Sequence, residues 1–102
     1  MKPERISEVS GKPLERWRQH LLDAAAYIEE HGHCKGDLDN AAGGVCVMGA
    51  ILRTRKRHGS NAFSNANQGL ERHLGEHSPV WNDRPETTKE MAVAALIGAA
   101  LS

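Results

Sequence analysis

MAVAALIGAAL, residues 91–101, carries the clearest structural signal in the chain, because no side chain in it is polar. The run is too short to cross a bilayer, which takes roughly 18 to 20 apolar residues. Its many alanines favour a helix packed closely against other helices. Thr87 and Glu90, three positions apart, match a capping box at its start. We expect this helix to be the central packing partner of a second apolar helix.

That second helix is predicted from the stretch GGVCVMGAI, residues 43–51. It should run from about residue 45 to 57, with an apolar first half buried nearly all round. Gly49 and Ala50 would let another helix approach closely. The cluster from Arg53 to His58 holds four Lys or Arg side chains at the C-terminal end, where cations oppose the helix dipole.

Two amphipathic stripes predict the remaining helices. One covers about residues 14–31 and ends at Gly32; the other begins after a cap at Ser60 or Asn61 and ends at Gly75. No segment shows strand alternation. The sequence therefore predicts an all-α protein, a compact bundle of about four helices, with one helical domain over residues 13–102 and a flexible arm over 1–12.

Composition excludes several functional classes. The 102 residues hold 13 basic and 13 acidic side chains, so no global charge favours nucleic acid or an anionic membrane as a partner. The N-terminus lacks the apolar core of a secretion signal, which predicts a cytoplasmic protein with Cys34 and Cys46 reduced. Nothing in the sequence indicates a cofactor.

The segment SPVWNDRP, residues 78–85, is predicted to be a non-helical loop between two prolines. Asn82 and Asp83 can hold such a turn through bonds to the local backbone. Two interpretations of Trp81 are open. Its indole either packs into the end of the bundle and seals it, which we favour, or is exposed and anchors a binding partner.

Cys46 lies just after a glycine pair at the start of an apolar helix. The helix dipole there favours a thiolate, and a histidine with Asp83 could complete a cysteine hydrolase. The simpler interpretation is a buried apolar side chain, because free cysteine is among the most buried residue types.

Metal binding is a further alternative. His31, His33, Cys34 and Cys46 are the ligand types of a structural zinc site, although their spacing matches no zinc-finger pattern. Asp37, Asp39 and Asn40 suggest a calcium loop, but Ala42 and Met48 occupy the positions that need glycine and a bidentate acid. We expect these acidic and amide residues to form turns and to cap the second helix.

Taken in order, several motifs resemble a small helical domain family of unknown function that is common in actinobacteria and their phages. The motifs are IEEHG at 28–32, CVMGAI at 46–51, WND at 81–83 and the alanine-rich helix led by Thr88. The resemblance covers residues 14–101, and the family pattern often has an aromatic near the position of His33. It implies a short, standalone cytoplasmic protein of phage origin that binds a host protein, and it transfers no catalytic role.

Our leading hypothesis is a non-enzymatic binding or regulatory module with an unidentified protein partner. The expected binding surface joins the Trp81 loop to the turn after the first helix, at one end of the bundle. Its residues are Trp81, Asn82, Asp83, Arg84, His33 and Asp37. The apolar last helix also predicts a homodimer, because a bundle of this size leaves part of that helix uncovered.

Overall fold

The computed structural model describes residues 15–59 and 61–102, and it has an all-α architecture as predicted. Its helices are α1 (Arg16–His31), α2 (Val47–Thr54), α3 (Ala62–Leu74), α4 (Ser78–Asn82) and α5 (Lys89–Leu101), with a 3-10 turn at Arg55–Arg57 after α2. The predicted arm at 1–12 and the alternative cap Ser60 lie outside the described residues. Over those residues β structure is limited to isolated bridges from Val45 to His33 and to Asp39.

The core lies where α5 meets α1 and α3. Leu96, Ala92 and Ala99 of α5 are fully buried, as are Leu21 and Ile28 of α1. The many alanines of α5 let the neighbouring helices approach closely, which raises the apolar area removed from water. The prediction that α5 packs chiefly on the second helix is wrong, because its main partners are α1 and α3.

Gly69 interrupts the apolar stripe of α3 for a packing reason. The indole of Trp17 on α1 lies directly over it, where any Cβ would collide with the ring. The guanidinium groups of Arg18 and Arg72 lie 4.4 and 5.4 Å from the centre of the same ring. The glycine that weakens α3 locally therefore makes the close contact between α1 and α3 possible.

The predicted loop around Trp81 is instead the short helix α4. Pro79 lies in its first turn, where a missing N–H costs no hydrogen bond. Glu71 of α3 accepts a hydrogen bond from the Ser78 N–H at 2.7 Å, so a neighbouring helix supplies the N-terminal cap. Because these stabilising contacts come from outside the segment, its own sequence does not reveal the helix.

The capping box predicted from Thr87 and Glu90 is also wrong by one residue. Thr88 is the N-cap of α5, and its hydroxyl accepts a hydrogen bond from the Met91 N–H at 3.1 Å. Thr87 is buried and donates to the Trp81 carbonyl at 2.8 Å, which joins the end of α4 to the start of α5. At the start of α3, Asn61 occupies the cap position without a side-chain cap bond.

Within residues 15–59 and 61–102, no helix combines the length and the apolar character needed to cross a membrane.

Candidate functional site

The connection between α1 and α2, residues 33–46, folds back on itself through backbone hydrogen bonds. The Val45 N–H donates to the Gly32 carbonyl, and the Val45 carbonyl accepts from the Cys34 N–H, each at 3.0 Å. The Cys46 N–H donates to the Leu38 carbonyl at 3.1 Å. Asn40 Oδ1 accepts from the Ala42 and Gly44 N–H groups, which is the side-chain turn expected from the sequence. This connection, called the 33–46 loop below, presents its residues toward α4.

Asn82, at the end of α4, joins the 33–46 loop to the start of α2. Its Oδ1 accepts from His33 Nε2 at 2.6 Å and from Val47 N–H at 3.1 Å. Its Nδ2 donates to the Cys34 carbonyl and to Asp83 Oδ1, each at 3.0 Å. The Asn82 side chain is fully buried. Both N–H groups of its amide donate a hydrogen bond, and its oxygen accepts two, so every polar group of the side chain has a partner.

Asp83 continues this network at the surface. Its Oδ1 also accepts from the Gly36 N–H at 2.9 Å. That backbone donor, followed by the Asn82 amide, lowers the pKa of Asp83, so the carboxylate is charged at neutral pH. Lys35 donates to the carbonyls of Arg84 and Pro85, which fastens the loop a second time.

Cys46 is the N-cap of α2, which begins two residues later than the predicted start at residue 45. Its sulfur accepts a hydrogen bond from the Gly49 N–H at 3.2 Å. Burial raises the pKa of the Cys46 thiol, and the backbone N–H groups of Gly49 and Met48 oppose that effect more weakly. Across the described parts of the chain, no histidine forms a hydrogen bond to this sulfur. The geometry is that of a capping thiol rather than an activated nucleophile.

The second cysteine is equally enclosed. Cys34 is buried, and its thiol donates to the Asp37 carbonyl at 3.4 Å. Burial raises the pKa of this thiol as well. Both cysteines are free.

The structure does not gather the residues considered for zinc. His33 is bonded to Asn82, and the ring of His31 contacts Tyr27 with 4.1 Å between centroids. In the ranges 15–59 and 61–102, no three His, Cys, Asp or Glu side chains are placed to hold a metal ion. Asp39 pairs with Arg53 instead of capping α2.

Gly49 makes the close packing of this region possible. The Leu38 carbonyl lies so near its Cα that a Cβ there would collide with the oxygen and approach the carbonyl carbon. Gly49 thus lies where the 33–46 loop crosses α2, rather than where another helix packs. The loop position and the start of α2 are therefore fixed by the same contact.

A cleft of about 250 Å³ lies between the 33–46 loop, the start of α2 and α4. Its walls are lined by Gly36, Asp37, Leu38, Cys46, Met48, Pro79 and Asp83. The cleft is smaller than the roughly 300–1,000 Å³ of sites for small-molecule ligands and cofactors.

Of the residues predicted for a binding surface, Asp37 and Asp83 line this cleft, while His33 and Asn82 lie behind it as supports. Trp81 is partly buried against the core, and Arg84 pairs with Glu76 at 2.6 Å. Leu38, Met48 and Pro79 were not predicted as site residues. Gly49 within an apolar helix was the available sequence signal that another part of the chain passes close by.

The fold and the cleft define a class: a small all-α domain in which a long loop and a very short helix form a recess at a helix N-terminus. The chain belongs to the family of unknown function DUF6197, whose sequence model matches residues 12–101. No curated protein and no solved structure gives a significant match. The resemblance to a small domain family of unknown function is thus confirmed, and membership brings no activity with it.

Proposed function

We propose that this protein is a small non-enzymatic recognition module that binds a segment of a protein partner in the cleft between the 33–46 loop and α4. The observation that supports this most is the combination of an exposed, partly apolar cleft with a rigid frame. Asn82 joins the 33–46 loop to the start of α2 through hydrogen bonds with the His33 ring, the Cys34 carbonyl and the Val47 N–H. Rigid frames lower the entropic cost of binding, because less of the site must be ordered when the partner arrives.

The chemistry of the walls suggests the partner segment. Leu38, Met48 and Pro79 offer an apolar surface, and Leu38 is nearly half exposed. Asp37 and Asp83 place two carboxylates on the same rim. A partner segment with an apolar side chain next to a Lys or Arg would complement these walls. The apolar side chain would be buried against the apolar surface, and the cation would pair with the carboxylates.

In this proposal the predicted surface residues have two kinds of role. Asp37 and Asp83 contact the partner, with Arg84 at the edge. His33, Asn82 and Trp81 position the walls, because each is at least partly buried and bonded or packed within the protein. A phage origin, which the sequence resemblance implied, would make a host protein the natural partner.

A selection of random nine-residue linear peptides on the wild-type protein would test the proposal. We expect the selected peptides to share an apolar residue beside a basic one. In fluorescence anisotropy, Leu38→Ala should weaken their binding about tenfold and Asp37→Asn about fivefold. Both side chains are exposed, so neither change should alter the fold.

The matched control is Glu29→Gln, which removes the same charge from an exposed position on α1. It should leave peptide binding unchanged. The proposal would be contradicted by peptides that bind wild type and Leu38→Ala equally, or by a selection that returns no apolar and basic pair.

A further inference from the structure

Two histidines that the site does not use are stacked inside the protein. His20 of α1 is fully buried, and the side chain of His58, which follows the 3-10 turn, is only 5% exposed. Their ring centroids are 4.6 Å apart and the ring planes differ by 19°. Buried histidine pairs are uncommon, because each charged form would lose its hydration.

Hydrogen bonds identify a donor nitrogen in each ring. His20 Nε2 lies 2.8 Å from the Ile51 carbonyl, which can only accept, so Nε2 carries the hydrogen. His58 Nε2 likewise donates to Asp23 Oδ2 at 2.7 Å. The Nδ1 atoms of both rings are buried without a partner among the described residues. A second proton on His20 Nδ1 would therefore have no well-formed hydrogen bond, and the Ala62 backbone would stabilise it only weakly.

The charges around the pair act in opposite directions, because the Asp23 carboxylate favours a second proton on His20 and a charged His58 disfavours it. Asp23 supplies one carboxylate, which faces His58 and lies 3.9 Å from the Arg57 guanidinium. Arg16 donates to the Arg57 carbonyl at 3.1 Å, bringing another cation to this end of α2. The exposed side chains of Arg55 and Lys56 follow in the same turn.

The same contacts hold the end of α2 to α1. His20 binds the Ile51 carbonyl, and Asp23 binds His58 and pairs weakly with Arg57. We propose that His20, His58 and Asp23 form an acid-sensitive latch that releases residues 51–58 from α1 when His20 is protonated. The latch is independent of the cleft and of the function proposed for it.

The sign of the pH dependence follows from burial. Burial is the largest cause and lowers the pKa of His20, and the charge of His58 lowers it further. The Ile51 carbonyl acts in the opposite direction, as do the Ala62 backbone and Asp23 more weakly. An opened state, with His20 in water, binds its proton near the ordinary value of about 6.5. The latch is thus at full strength above about pH 6.5 and weakens as pH falls toward the lower pKa of the closed state.

Hydrogen exchange of the full chain, resolved by peptide and corrected for the intrinsic pH dependence, tests this inference. Protection over residues 51–58 should fall by up to about tenfold between pH 7.5 and 5.5, because one proton is taken up on opening. Protection in the middle of α5 should change less. Equal loss across the whole chain would overturn the latch in favour of global unfolding.

His20→Gln provides the matched variant, since its amide can still donate to the Ile51 carbonyl and does not titrate. It should remove the local pH dependence, whereas His73→Gln, at an exposed position on α3, should retain it. A second measurement uses the wild-type chain alone: ¹⁵N NMR of the imidazoles reports protonation directly. If His20 stays neutral while protection over 51–58 falls, or if His20→Gln keeps the full pH response, the inference is wrong.

Discussion

His33 and Asn82, 49 residues apart in sequence, share a hydrogen bond of 2.6 Å between Nε2 and Oδ1. The Val47 N–H donates to the same oxygen, which identifies it as the amide oxygen and makes His33 the donor. One side chain on α4 thereby sets the positions of the 33–46 loop and of the start of α2. This relationship determines the shape of the cleft, and the first prediction tests it.

Asn82→Ala should lower the free energy of unfolding by about 3 kcal/mol. The change leaves the buried Val47 N–H and Cys34 carbonyl without their partners, at roughly 1–3 kcal/mol for each buried group. Urea denaturation followed by circular dichroism measures the loss. Asn65→Ala, at an exposed position on α3, is the control and should change stability by less than about 0.5 kcal/mol. Equal effects would show that Asn82 has no special structural role.

Gly49→Ala and Gly98→Ala should affect stability in opposite directions, although both replace a glycine in a helix. A methyl group at Gly49 collides with the Leu38 backbone, so we expect a loss of about 1–3 kcal/mol. At Gly98 it meets only the ring of His73, an exposed side chain that can move away. There the higher helix propensity of alanine should give a gain of up to about 1 kcal/mol. Thermal denaturation of both variants provides the comparison.

Native Cys46 and Cys34 should react with iodoacetamide at least about tenfold more slowly than in the denatured chain, because a buried sulfur reacts only from opened states. Burial also raises the pKa of both thiols, which reduces the reactive thiolate at neutral pH. Mass spectrometry of timed samples at pH 7.5 gives the two rates. Rapid alkylation of native Cys46 alone would instead support the cysteine hydrolase considered from the sequence.

Ile97→Glu should convert a dimer into a monomer. Met91, Ile97 and Leu101 of α5 are 40%, 37% and 50% exposed, and they leave an apolar strip on the outer face of the helix. A second copy of the chain could cover this strip, and a buried charge there would oppose association. Sedimentation velocity at several concentrations measures the mass. Ala26→Glu, on the exposed part of α1, should remain dimeric; a wild-type monomer at every concentration would refute the prediction.

Periodicity predicted the longer helices well, because their apolar faces are buried in the way that 3.6-residue spacing requires. Leu21 and Ile28 of α1 and Leu70 of α3 are fully buried. The packing partners of α5 were harder to predict. Because this helix is apolar on every side, its sequence does not show which face contacts which neighbouring helix. The helix α4 escaped prediction because its cap, Glu71, comes from another helix.

The candidate site was predictable in part. The sequence predicts that Trp81, Asn82 and Asp83 lie near the turn after the first helix, and Asn82 does contact His33 there, although from the end of a helix and not from a loop. The hydrogen bonds that make this contact join distant segments, which no local pattern encodes. Leu38 and Pro79 therefore gave no sign in the sequence that they share a cleft.

The long-range bond of Asn82 has a consequence for detecting ligands. The cleft exists only when two segments separated by nearly half the chain have met, so an unfolded or truncated chain offers no such surface. A molecule that binds there binds the native state alone and therefore raises the thermal midpoint. At a free concentration one hundred times its dissociation constant, it adds about 2.7 kcal/mol to the free energy of unfolding. Thermal shift can thus find a ligand for this protein before its chemistry is known.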